Sequence, residues 1–132
     1  MSLLAAMQAD ALEAQKFSRK HLVLELDFSA HSIAELEQQA DSVEYALAGG
    51  KSPANMEMLT RTWGAYLGEA LRRQTGGEWV QGDDQRVGLR TPAATVFPHE
   101  VVRRRLVEGK NANLPTFFRE ALQQLGSGPA TS

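Results

Sequence analysis

Hydrophobic positions change their spacing several times along these 132 residues, and each change marks an element. Leu3, Met7, Ala11, Ala14 and Phe17 recur at three- and four-residue steps, which predicts an amphipathic helix over residues 2–20 with Asp10, Glu13 and Lys16 in water. From Leu22 to Phe28 the period falls to two, with Leu22, Leu24, Leu26 and Phe28 alternating against Glu25 and Asp27. That pattern reads as a half-buried strand, although Leu and Glu would also extend the first helix. Ser32-Ile33-Ala34-Glu35 has the form of a capping box, so a second helix is expected from Ser32, with Ile33, Leu36, Ala40, Val43 and Leu47 on one stripe and Gly49-Gly50 at its end.

The longest periodic stretch follows. Ser52 is placed to cap it and Pro53 fits its first turn, where a missing N–H costs nothing. Met56, Leu59, Trp63, Tyr66, Leu67, Ala70 and Leu71 then form a stripe wide enough to face a core, so this should be the most buried helix. Gly64 and Gly68 lie beside the stripe, and each costs roughly 1 kcal/mol against Ala in a helix interior. Close approach of another backbone is the natural compensation, and the same face would equally serve a homodimer.

After Gly76-Gly77 the period returns to two. Glu78 to Gln81, a Gly82-Asp83-Asp84 turn, and Gln85 to Arg90 read as a hairpin, with Ala94 to Phe97 as a third strand. Helices from His99 to Glu108 and from about Pro115 complete the chain, the latter turning Phe118, Ala121, Leu122 and Leu125 inward. The expected fold is therefore α+β: four or five helices with a small antiparallel sheet of three or four strands packed on the central helix. Residues 1–125 make one domain, and 126–132 a flexible tail.

Composition narrows the chemistry. The chain has no cysteine, which removes disulfides, thiolate nucleophiles and cysteine zinc sites. The apolar start meets Asp10 and Glu13 too soon for a secretory signal or a membrane span, so a cytoplasmic protein is expected. His21, His31 and His99 are scattered rather than set at metal spacing, with His31 and His99 placed in solvated turns. No serine has a nucleophile motif, Asp83-Asp84 is turn chemistry, and no phosphate-binding loop occurs. Neither a catalytic residue, a metal nor a cofactor is assigned.

Charge is uneven: residues 1–50 carry three Lys/Arg against eight Asp/Glu, a net −5, and residues 51–132 carry eleven against eight, a net +3. The two halves can attract each other within one fold, or a surface of one sign can meet a partner. The candidate binding residues follow from this. Glu69 can reach Arg72 or Arg73 as a surface ion pair, or it can stand at the edge of a pocket between the central helix and the sheet, walled by Trp63, Tyr66 and Trp79. Arg103-Arg104-Arg105 is the densest basic run, but at 100° per helical residue the three fan too widely to face one phosphate backbone. The run reads either as a solvated helix face paired with the acidic N-terminal half or as a site for an anionic partner, with Arg103 and Arg104 as the candidate binding residues and nucleic acid not expected.

Leu26-Asp27-Phe28-Ser29 with Ser32-Ile33, Trp63 to Glu69, and Gly77-Glu78-Trp79 together make the chain resemble, over residues 22–118, small bacterial proteins catalogued as a domain of unknown function. The resemblance implies a compact α+β bacterial protein without a known cofactor, and it carries over no catalytic residue. Proteins of this kind often look like immunity partners of secreted toxins. The expectation is a non-enzymatic protein-interaction module, an immunity protein that neutralises a toxin. The alternative is a small-ligand-binding domain with its pocket between the central helix and the sheet.

Overall fold

Ser2 starts the first helix by accepting a hydrogen bond from Ala5 N at 3.0 Å, and the apolar stripe then buries Met7, Ala11 and Ala14 along α1, Leu3–Phe17. The computed structural model describes residues 2–126, and the rest of the expected flexible tail, residues 127–132, lies outside them. A wider helical turn, Ser18–Leu22, follows α1 and closes on Val23, which takes the left-handed conformation at φ 56°.

Here the structure departs from the expected strand. Residues 23–28 alternate in burial as the period-two pattern requires, Leu26 being buried and Glu25 and Asp27 exposed, yet they are neither strand nor helix. The reason is that side chains take the place of a ladder. Gln15 Nε2 donates to Leu26 O at 2.8 Å, and Phe28 N donates to the Tyr66 hydroxyl at 2.6 Å. Alternating apolar residues need only a core beneath them, whereas a strand also needs a neighbouring backbone.

Helix α2, Ala30–Gln39, begins earlier than the capping box suggests. Ser29 is the cap, its Oγ accepting from Ser32 N at 3.1 Å, while Ser32 lies inside the first turn. The Ser32 hydroxyl donates to Ser29 O at 2.6 Å, which leaves its lone pair to accept from the Tyr66 hydroxyl, also at 2.6 Å. A short 3-10 turn, Val43–Ala46, replaces the last part of the expected helix, but Ile33, Leu36, Ala40 and Val43 are all buried.

Helix α3, Pro53–Thr75, has the start its sequence dictates, with Ser52 Oγ accepting from Asn55 N at 3.2 Å. Gly76 closes it in the left-handed conformation. From Thr62 to Leu71 every residue of α3 is buried, because α1, α4 and α5 all pack on it. The sheet is an antiparallel meander of β1, Glu78–Gln81, β2, Val87–Arg90, and β3, Thr95–Val96. Trp79 pairs with Leu89, and Leu89 in turn with Val96, so one buried row crosses all three strands. The hairpin loop is longer than the expected three residues. Gly82 N donates to Arg86 O at 3.0 Å, and Gln85 adopts φ 68° between them.

Pro98 does not merely halt the sheet; it is the first residue of α4, Pro98–Glu108, and α5, Leu114–Leu125, follows with Asn113 as its cap. Each strand rests on a different helix, β1 on α1, β2 on α4 and β3 on α5. The fold is thus α+β, five α-helices and a three-stranded sheet among the described residues, with α3 at its centre.

Opposite charges of the two halves meet inside this arrangement. Arg61 on α3 binds Asp10 at 2.7 Å and Glu13 at 3.3 Å on α1, and Arg105 on α4 binds Glu37 at 2.7 Å and Asp41 at 2.9 Å.

Candidate functional site

The six candidate binding residues fall into two groups that the structure keeps apart. Glu69, Arg72 and Trp79 form one hydrogen-bonded cluster. Glu69 is 1% exposed, and Arg72 grips it bidentately, Nε to Oε2 at 2.7 Å and Nη2 to Oε1 at 3.1 Å. Trp79 Nε1 donates to the same Oε2 at 2.9 Å. Burial raises the pKa of this carboxyl, but the hydrogen bonds from Arg72 and Trp79 outweigh it, so the group lies below its ordinary 4.5. Arg73, the other arginine within reach by spacing, instead lays its guanidinium 3.6 Å from the centre of the Phe28 ring.

The glycines explain why this region is closed. A β-carbon at Gly68 would overlap the six-membered ring of Trp79, and one at Gly64 would come within 2.8 Å of His99 Cα. The close neighbour at Gly64 is the His99 imidazole with its α-carbon just behind it, and at Gly68 it is an indole, so side chains rather than a bare backbone fill most of the space the glycines leave. Both glycines are covered by their own chain, so the face they form is not open to a second copy. The Trp79 indole also lies where the expected pocket between α3 and the sheet would have been, and the Glu69 oxygens are engaged.

Arg103, Arg104 and Arg105 separate as the helical fan requires. Arg105 is 2% exposed and turned inward onto Glu37 and Asp41. Glu37 is shared, since its second oxygen accepts from Leu114 N at 2.9 Å. Arg103 and Arg104 are exposed and make no ion pair among the described residues. Val107, one turn further along, is an exposed apolar residue of the same helix.

Arg103 stands over a hollow of about 650 Å³ where α1, the first half of α3, α4 and the start of β2 converge, with Met7, Met56, Val87, His99 and Val107 in its lining. A second hollow of about 770 Å³ adjoins it, sharing Val87, His99, Arg103 and Val107 and including Arg104. The first lies within the volume range of small-molecule sites, and its surface is mostly apolar.

His99 corrects its expected place in a solvated turn. Its ring packs on the bare α-carbon of Gly64, and its Nδ1 is buried without a hydrogen-bond partner. Burial lowers its pKa below 6.5, against the weaker opposing influence of Asp10 and the Arg61 backbone. The signal was present in the sequence: Gly64 required a close neighbour, and a histidine just inside a proline-started helix was one candidate. His31, by contrast, is exposed, 3.7 Å from Glu35.

Among the described residues no three His, Asp or Glu side chains gather where a metal ion could be held, and no helix is long and apolar enough to cross a membrane. The chain matches no family model, no curated protein and no solved structure.

Proposed function

We propose that this chain is a non-enzymatic protein-interaction module of the cytoplasm that presents the outer face of α4 to an acidic surface of a partner protein. One observation carries the reading. Arg61, Arg72, Arg86 and Arg105 are each bound to a carboxylate of their own chain, whereas Arg103 and Arg104 stand exposed and unpaired side by side among the described residues. Exposed cations left without intramolecular partners, next to exposed Val107, are suited to steer and orient an oppositely charged surface. A toxin is the partner class we favour, and neutralisation by covering its working surface needs no catalytic group here.

The test is co-purification from the native organism of wild-type chain and of the Arg103→Glu/Arg104→Glu variant, together with co-expression of each with any partner so recovered. A stoichiometric partner that the wild type retains and the double variant loses by roughly tenfold in affinity, with growth rescued only by the wild type, is the expected result. Recovery of no stoichiometric partner overturns the interaction reading, and a partner without growth rescue overturns the toxin part of it.

A further inference from the structure

The hollow beneath Arg103 raises a question separate from the protein partner. Its floor comes from four elements, with Met7 from α1, Met56 from α3, Val87 from β2 and Val107 from α4. Two methionines give such a floor an unbranched, polarizable surface that adapts to different apolar shapes. His99 forms part of the wall, and the lowering of its pKa by burial keeps the imidazole neutral near pH 7.

The charges around the floor decide what fits. Asp10 and Arg61 line the hollow but are joined to each other at 2.7 Å. That leaves Arg103 on α4 and Glu57 on α3 as the charged lining residues without an ion pair among the described residues. A polyanion would meet Glu57 as well as Arg103. A molecule with one anionic end and an uncharged apolar body can place the anion on the guanidinium and lay the body along the methionines. Arginine suits this role because its planar fork pairs with a carboxylate bidentately.

We propose that the hollow between α1, α3, α4 and β2 binds a small amphiphilic monoanion, a carboxylate on an apolar chain, with Arg103 holding the carboxylate and Met7, Met56 and Val107 the chain. This keeps a small-ligand function for the protein but places it in a hollow that Glu69 and Trp79 do not line. Arg104 lines the adjoining hollow and not this one, so it has no part in the site.

Dodecanoate below its micelle-forming concentration is the probe, with dodecyltrimethylammonium as the twin of opposite charge. Binding is followed by calorimetry and by the methionine methyl resonances of the full chain. Saturable binding of dodecanoate that moves the Met7 and Met56 signals but leaves Met58, which does not line the hollow, is expected. Arg103→Glu should weaken it by roughly tenfold or more, and Arg104→Glu should leave it within about twofold. Both substitutions are at exposed positions, and circular dichroism verifies that each variant folds.

Absence of saturable binding, equal binding of the cationic twin, or an unchanged affinity in Arg103→Glu overturns the proposal. Equal losses in Arg103→Glu and Arg104→Glu do the same, since they would reflect the general charge of α4. None of these outcomes touches the protein-interaction reading, which stands or falls on a partner chain.

Discussion

The two halves of α3 meet their surroundings differently. Toward its C-terminus the helix is sealed: the Trp79 indole fills the space left by Gly68, and Glu69 is bound to both Trp79 and Arg72. Toward its N-terminus Met56, Glu57, Thr60 and Arg61 border an open hollow, the Arg61 guanidinium being bound to Asp10 and Glu13 of α1. A residue pattern that reads simply as one long amphipathic helix therefore serves closure at one end and leaves a recess at the other. The difference lies in what the neighbouring element delivers. The sheet brings an aromatic ring to the C-terminal half, whereas Met7, Val87, Arg103 and Val107 face the N-terminal half across a space they leave open.

Three measurements probe that contrast. The largest effect belongs to Glu69→Ala, which strips Arg72 and the buried indole N–H of their acceptor at once. It should cost about 3 kcal/mol in denaturant unfolding, against less than about 0.5 kcal/mol for Glu57→Ala at the open end. Comparable losses at the two sites would erase the distinction. Next, Gly68→Ala drives a methyl group into the Trp79 ring and should destabilise by about 2 kcal/mol through forced repacking, despite the better helix propensity of alanine. A stabilised Gly68→Ala protein would show that the sealed half has slack.

The smallest effect separates the halves by pH. His99 has its folded-state pKa lowered below 6.5, so the unfolded chain binds its proton first, and the stability it contributes is present above pH 6.5 and lost as pH falls toward the folded value. Glu69 has its folded pKa lowered below 4.5, so its contribution is present above pH 4.5 and lost only as pH falls through that still lower value. Acid should thus weaken the protein in two stages, the first removed by His99→Gln and the second by Glu69→Gln. A single stage unaffected by His99→Gln would mean that the imidazole is more accessible than its position against Gly64 implies.

Much of this architecture was legible in the chain. Periodicity located α1, α3 and the three strands, and Ser52-Pro53 and Gly76 fixed both ends of α3, because caps and stripes are local and need no knowledge of what lies across the core. The strand expected from Leu22 to Phe28 does not form, for the complementary reason. Its alternation is real, but whether an alternating segment joins a sheet depends on a partner strand, and Gln15 and Tyr66 supplied substitutes that spacing could not reveal. The capping box points to Ser32, but Ser29 can also accept from a free N–H three residues on, and Tyr66, thirty-four positions from Ser32, settles which of them turns inward. Of the candidate residues, Glu69 with Arg72 followed from helical spacing. The recess at Arg103 did not, because four elements far apart in sequence make it.

Glu37 links events that are distant in time as well as in space. Its two oxygens hold Arg105 and the first backbone N–H of α5, at sequence separations of 68 and 77 residues. A ribosome releases the acidic side long before either partner exists, so α2 must wait with these contacts unmade until residues 105 and 114 have emerged. Long loops are slow to close, so a contact prepared on α2 is one that α5 can complete only after the intervening residues have folded back.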